Sequence, residues 1–343
     1  MQRIFAADIG GTNARFGIFF YDAASRKLCC DSIVWQPSES LRKTEDVFRV
    51  MGESLHQLPA KDDVVSIAIA GPVDGSGDGL RGQLTNGRLR LDMTDWREKF
   101  SLRACLLCND FAAEAHAIPT EIGEKAACIM AGDAAPKNSV RAVLGAGTGL
   151  GAALLAHTPC PQFHSYSETD SKTGSETKRD THWLALPSEV GHTPFAFVGA
   201  EETAFHDFLR HTLHVPCASA ENVLCGRGLA LLHSYLSGQE LDPAGAAAAG
   251  LSQQTPTLQW YARFLARFCR QWILSTLCRG GLWITGGIAA RNPLCVTTRI
   301  FYEELAAAPT MGEFLRSIPI RLVTDRTSGL WGAAQAGLAS LLA

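Results

Sequence analysis

A chain of 343 residues, 46% hydrophobic and 19% charged, has the make-up of a globular protein with a large core and room for two domains. Its formal net charge of −3 offers no basic face, so neither nucleic acid nor an anionic membrane is expected as a partner. No apolar run reaches the ~18 residues of a membrane span, Asp8 interrupts any signal-peptide core, and the C-terminal Ser-Leu-Leu-Ala is no known address; a cytoplasmic enzyme or binding protein is expected.

In chain order, Arg3 to Ile9 and Arg15 to Phe20 read as strands around a glycine turn, and Asp46 to Leu58 carries helical spacing. Val64 to Ala70 and Leu102 to Cys108 are buried-strand patterns, the first closed by Gly71-Pro72 and the second by Asn109-Asp110-Phe111. A helix is expected over Ala112 to Ile118, stopped by Pro119, then a strand over Val140 to Leu144 running into the glycine series GAGTGLGAALLA. Residues 160–181 are polar and nearly without aliphatic side chains, the composition of an exposed loop. Helices are expected over Glu201 to His214, Ala220 to Gly238, Asp242 to Leu251, Leu258 to Cys278 and Gly329 to Leu342, with a short strand in GLWITGG, 281–287. Strands interleaved with helices make this an α/β protein.

The eleven cysteines are scattered and odd in number, so buried thiols are expected rather than a disulfide frame. Cys105 and Cys108 have CxxC spacing but sit in an apolar strand with no second pair, and His206, His211 and His214 lie in one helical segment; neither set reads as a metal site.

Three apolar strands end in glycine clusters: Asp8-Ile9-Gly10-Gly11-Thr12, Gly145-Ala146-Gly147-Thr148-Gly149 and Thr285-Gly286-Gly287. Glycines at a hairpin tip permit positive φ and close backbone approach, and successive N–H groups there can converge on an anion. Asp8 would repel phosphate, so a bridging Mg²⁺ with its waters is the natural mediator. Neither GxGxxG nor GxxxxGK[ST] is present. Asp110 follows a strand at the position where open α/β sheets hold ligands, although the same residue could serve as a helix N-cap. Glu189 and His192, three apart beside a glycine, could equally be plain surface polarity.

Read together, ADIGGTNARFGI, AIAGPV, CNDFAAEAHAIP, LGAGTGLG, LPSEVGH, ASAENVLCGRGL and GLWITGGI resemble, in order, the blocks of bacterial glucokinases of the enteric type, and the likeness runs from about residue 4 to GLWGAAQAGL near the C-terminus. The resemblance implies the two-domain actin-like ATPase (ribonuclease H-like) fold of the hexokinase, Hsp70 and actin superfamily, with an interdomain cleft. It implies a small α/β domain of residues 1–110 plus 325–343 and a large one of 111–324 carrying the 160–181 loop as an insertion. A homodimer is expected on the same ground.

The resemblance further implies a kinase that moves the γ-phosphoryl group of ATP to the 6-hydroxyl of glucose with Mg²⁺. Asp8, Ile9, Gly10, Gly11, Thr12 and Asn13 match the first phosphate motif, with Asp8 holding the metal through water. Gly147, Thr148 and Gly149 match the second, and Gly286 and Gly287 lie in the adenosine motif. Asn109 and Asp110 match the sugar-contacting pair, Asp110 as the base, while Glu189, His192 and Glu221 match further sugar ligands. Val190 stands where glycine is usual, and GRLRLD after Asn86 lacks a common tryptophan. These departures bear on the choice of hexose (glucose against mannose, fructose or an amino sugar) more than on reaction class. A non-catalytic sugar sensor on the same fold would need a DNA-binding segment, and the first strand already starts by residue 3.

Overall fold

The computed structural model describes residues 1–85, 87–159 and 181–341. Asn86 and residues 160–180 of the polar stretch lie outside it.

The first half opens with an antiparallel meander, β1 (Gln2–Ile9), β2 (Asn13–Asp22) and β3 (Lys27–Pro37), followed by α1 (Thr44–Leu55) and β4 (Val64–Ile69). Three short strands, β5 (Val73–Asp74), β6 (Arg81–Gln83) and β7 (Arg90–Asp92), form a sheet of their own. After α2 (Trp96–Lys99) the chain rejoins the main sheet as β8 (Ala104–Asn109) and turns at once into α3 (Asp110–Ala117). The strand order is β3-β2-β1-β4-β8, with β4 parallel to β1 and β8 parallel to β4. Ile4 to Ile9 and the whole of β4 are buried, which is why these strands read as unbroken apolar runs rather than alternating ones.

The second half begins with α4 (Glu121–Glu124) and β9 (Ala127–Met130), then repeats the meander as β10 (Arg141–Ala146), β11 (Leu150–Pro159) and β12 (Thr181–Ser188). Five helices follow: α5 (Gly199–Leu213), α6 (Ala220–Leu224), α7 (Gly226–Ser237), α8 (Pro243–Leu251) and α9 (Pro256–Thr276). Strand β13 (Leu282–Thr285) leads through α10 (Gly287–Arg291), α11 (Leu294–Thr297), α12 (Arg299–Leu305) and α13 (Gly312–Ser317) to β14 (Ile320–Leu322) and the last helix, α14 (Ser328–Ala339). The order β12-β11-β10-β13-β14, with β9 added at the edge, repeats that of the first sheet strand for strand. The fold is thus a duplication, and α14 occupies in the second half the place α3 holds in the first.

The two helices exchange sheets. Helix α3 packs on β10, β11 and β12, while α14 packs on β1, β4 and β8, and the pair cross between the sheets. One buried cluster, from Ile4, Ala68 and Phe19 through Ala113 and Trp331 to Val143 and Trp283, fills this middle layer. A second lies beneath α1 and a third beneath α5–α13. Within the third, Arg267 on α9 is 3% exposed and tied to Glu202 of α5 (Nη2 to Oε1 3.1 Å) and Glu304 of α12 (Nε to Oε1 2.9 Å). Nothing in the sequence pattern announced that buried network.

Two elements differ from the sequence reading. The glycine series continues as strand β11, because its small residues face one another across the hairpin. The helix expected over Ala220 to Gly238 breaks at Cys225, whose backbone is extended (φ −73°, ψ 172°), and the thiol accepts the Gly228 N–H to restart it as α7. The break lets the Gly226 N–H reach the Gly147 carbonyl at 2.8 Å.

A methyl group on Gly332 of α14 would sit 1.7 Å from the Ala113 carbonyl oxygen of α3. Gly332→Ala must therefore push the crossing apart and should cost about 2 kcal/mol or more, read as a lower denaturation midpoint; an unchanged midpoint would mean the helices do not need this approach.

Candidate active site

Parallel strands β1, β4 and β8 bring their C-terminal ends to one edge, the usual ligand edge of an α/β sheet. Asp8, Gly71 and Asn109-Asp110 gather there. Asn109 is the N-cap of α3: its Oδ1 accepts from the N–H groups of Phe111 (2.9 Å) and Ala112 (3.3 Å), and its Nδ2 donates to the Gly71 carbonyl (3.2 Å). The capping role open to Asp110 is thus taken by its neighbour. Asp110 accepts the adjacent Phe111 N–H at 3.0 Å and is approached by its own backbone N–H, and no side chain bonds it among the described residues. Burial, together with the charges of Asp8 and Glu189, pushes its carboxyl up to about 7.

Asp8 is paired across the β1–β2 hairpin with Arg15, whose guanidinium binds its carboxylate. Burial raises the Asp8 pKa and the Arg15 charge opposes the rise. The first turn of α14 closes over it, since a Cβ on Gly329 would lie 2.7 Å from Asp8 Oδ2. Arg15 also stacks on Trp35, 4.3 Å from guanidinium carbon to ring centroid, and Arg326 approaches the same ring at 5.1 Å. One turn along α3 from Asp110, Glu114 accepts the Ser328 hydroxyl of α14 at 2.8 Å, while its buried Oε2 has no partner among the described residues. Burial, with Asp8 and Asp110 adding, pushes Glu114 up to about 8. The sequence reading missed Arg15, Glu114 and Ser328. The hairpin register could have found the first, and the i,i+4 spacing from Asp110 the second.

Gly10 closes the first hairpin by donating to the Asn13 carbonyl (3.0 Å), so Gly11, Thr12 and Asn13 stand exposed at its tip. In the second hairpin Gly147 donates to Gly149 (2.9 Å), with Thr148 exposed. Neither tip needs the positive φ expected of it; among the clustered glycines only Gly286 has one, at 90°. What these glycines supply is room. A Cβ on Gly286 would fall 2.4 Å from the Ala146 carbonyl oxygen, which seats the Gly286-Gly287 turn against β10.

Glu189 and His192 lie just past β12, 81% and 63% exposed, with Nε2 and Oε2 3.5 Å apart. Their loop is fixed by the Val190 N–H on Ser188 Oγ (3.3 Å), by Thr193 Oγ1 donating to the Val190 carbonyl (2.7 Å), and by Gly191, whose missing Cβ would clash with the Leu150 carbonyl at 2.1 Å. Val190 packs on the third core cluster. Glu221 accepts the Leu150 N–H at 2.9 Å. The candidates therefore form two groups. Asp8, Asn109 and Asp110 stand at the helix starts, and Gly147–Leu150, Glu189–His192 and Glu221 surround the second hairpin. The Glu189 charge felt by Asp110 links them.

Among the described residues no set of three His, Cys, Asp or Glu could hold a metal alone, and no helix is long and apolar enough to cross a membrane. Asp8 offers one carboxylate, the donor set of Mg²⁺ bound mainly by phosphates and water.

Because Asp110 and Glu114 keep their protons well above the usual carboxylate range, these two groups bind more protons in the folded chain than in the unfolded one between about pH 4 and about pH 8. Their contribution to stability falls as pH rises through that window, whereas His116, pushed down to about 4 by burial, works the other way at its lower end. Glu114→Gln removes one share of the fall. Its Tm should drop less between about pH 5 and about pH 8 than that of the parent, by several degrees at about 1.4 kcal/mol per pKa unit. Equal drops would assign the loss to other groups.

The Glucokinase family model matches residues 5–170 and 173–339. A glucokinase of Helicobacter pylori is 30% identical, over 95% of this chain and 93% of its own. The crystal structure of a glucokinase from an Antarctic psychrotroph superposes with a TM-score of 0.77 at 28% identity, covering 98% of both chains. The glucokinase of Balamuthia mandrillaris, solved with glucose, shares the fold at 20% identity (TM-score 0.70, covering 98% of this chain and 93% of its own). The duplicated sheets, exchanged helices and glycine hairpins are those of the two-domain actin-like fold, and the chain belongs to the glucokinase family of ATP-dependent hexose kinases.

Proposed function

We propose that the protein is a glucokinase, transferring the γ-phosphoryl group of ATP to the 6-hydroxyl of glucose. The observation that carries this reading is Asp110: a half-buried carboxyl at the ligand edge, relieved of capping by Asn109, held near neutrality, and bonded by no side chain among the described residues. A base at about 7 is ionised for half of the molecules at physiological pH and still basic enough to draw a proton from an alcohol.

Phosphoryl transfer asks for alignment and charge neutralisation more than covalent help. With the Gly10 and Gly147 N–H groups closing their own hairpins, the N–H groups of Gly11 and Thr12 and of Thr148 and Gly149 would hold the phosphates from two lobes, residues 1–110 with 325–343 and residues 111–324. Asp8, steadied by Arg15, presents the carboxylate that would hold Mg²⁺ through water; when bound, Mg²⁺ neutralises phosphate charge. Asn109 keeps one amide N–H beyond its bond to Gly71, and Glu189, His192 and the second oxygen of Glu221 offer acceptors and donors to sugar hydroxyls. A site of such groups rejects a sugar lacking one hydroxyl, because its own polar atoms are left unpaired. Glu189 and His192 are exposed here, so closure of the lobes would complete the sugar site and expel water.

Val190 supports weighing another hexose. Its side chain anchors the sugar loop to the core where the family pattern has glycine, and an anchored loop selects more narrowly. ADP release measured with glucose, mannose, fructose and an amino sugar decides the substrate; turnover fastest on another hexose would replace glucose in the reading.

Asp110→Ala should lower kcat by about 10²–10⁴-fold while nucleotide affinity holds, and the parent kcat/KM should fall as pH drops through about 7, where the base is protonated. Retained turnover would remove Asp110 from the role. Glu189→Gln should raise the sugar KM more than the ATP KM; an unchanged sugar KM would separate Glu189 from the sugar.

A further inference from the structure

The carboxylate of Glu221 stands at the base of the second glycine hairpin. Oε2 accepts the Leu150 N–H at 2.9 Å, and a Cβ on Gly149 would fall 2.8 Å from the same oxygen. The hairpin thus reaches the carboxylate only because residue 149 has no side chain. Oε1 has no hydrogen-bond partner among the described residues.

The segment bearing Glu221 is rigid. Ser219 and Asn222 cap each other's backbone N–H groups (3.0 and 3.2 Å), and the buried Tyr261 hydroxyl donates to the Leu224 carbonyl at 2.7 Å. Five residues beyond Glu221, the Gly226 N–H grips the Gly147 carbonyl at 2.8 Å. On the opposite side Gly191, in the loop of Glu189 and His192, seats against the Leu150 carbonyl. Residues 147–150 are therefore held at three points, and two of the three belong to segments assigned above to the sugar.

We infer that Glu221 is a positioning residue that couples the hexose to the nucleotide phosphates: a sugar hydroxyl on Oε1 fixes the carboxylate, which through Oε2 and the Leu150 N–H fixes the Gly147–Gly149 hairpin for phosphate. The inference rests on the assignment of Glu221 to the sugar. In the unliganded chain the side chain is restrained by one neutral N–H donor; a second hydrogen bond removes its remaining rotamer freedom, so whichever substrate binds second meets a site already ordered. The effect must be reciprocal, each ligand tightening the other by the same factor. It needs no movement of the lobes, because every participating atom lies in residues 147–226.

Calorimetric titration with the non-hydrolysable nucleotide AMPPNP and Mg²⁺, with and without saturating glucose, tests it. In the parent, glucose should tighten AMPPNP by about 5-fold or more, the lower range of such couplings. Glu221→Ala should bring that ratio to near one and weaken AMPPNP even without glucose. Glu221→Gln, which keeps an oxygen for Leu150 and a polar group for the sugar, should retain the ratio. His192→Ala should weaken glucose yet retain the ratio at saturating sugar. A parent ratio of one, a ratio that survives Glu221→Ala, or sugar-free AMPPNP affinity unchanged by Glu221→Ala would each overturn the coupling. Glucose affinity unchanged by Glu221→Ala would instead overturn the sugar assignment on which it stands.

Discussion

The site depends on one close approach, that of α14 to α3, where Gly332 lies against the Ala113 carbonyl. Two helices can cross this tightly only where a side chain is missing. Their proximity sets the first turn of α14 against Asp8 and places Ser328 beside Glu114 on α3, one turn from Asp110. The positive end of the α14 dipole thus faces one carboxylate, and α3 starts at the other. Had the crossing been looser, Asp8 and Asp110 would be solvated at the sheet edge they share and would titrate as ordinary acids.

The electrostatics follow from that packing. Asp8, Asp110 and Glu114 share a poorly solvated space with one guanidinium, that of Arg15. Three ionised carboxylates around a single cation would repel one another in a medium too dry to screen them: burial raises all three, and the charge of Asp8 adds to the rise of Asp110 and Glu114. Asp8 alone has a guanidinium partner, and Arg15 opposes the rise that burial imposes on its carboxyl. Asp110 and Glu114 have only neutral donors and rise to about 7 and about 8. The same competition that costs stability as pH rises holds the Asp110 carboxyl near 7, the range in which the proposed role of base would use it.

Much of this was legible in the sequence: burial on both faces writes β1 and β4 as apolar runs, β8 is apolar although it is an edge strand with only Leu107 buried, and α5, α8 and α9 show helical spacing. Edge strands such as β3 alternate between exposed and half-buried positions and gave a weaker signal, and β9 and β14 are too short to carry a period. The break at Cys225 was invisible because its cause, the reach of Gly226 to Gly147, is a contact across 79 positions of chain. Asn109 and Asp110 are both good caps by composition, so only the geometry could tell which one caps and which one is free. Exposure of Glu189 and His192 agrees with the plain polar reading of their sequence and equally with a ligand that arrives from solvent.

The duplication explains why only one half carries the buried ion pair. The residue pair next to the end of the first hairpin is Asp8 opposite Arg15; the matching pair in the second is Gly145 opposite Gly151. The helices that start above them are complementary. Phe111, second residue of α3, fills the space over both glycines, where an added Cβ would meet its ring at 3.1 and 2.1 Å. Gly329, second residue of α14, leaves space for the Asp8 carboxylate. Volume and charge have been exchanged between equivalent positions. The first hairpin holds an ion pair under a bare helix turn, and the second is bare under an aromatic ring. Asp110 and Ser328 then precede Phe111 and Gly329 at matching helix starts, one a carboxyl facing the ligand edge and the other a hydroxyl turned to Glu114. A symmetric scaffold thereby yields asymmetric helix starts, one set over an ion pair and the other over close-packed backbone.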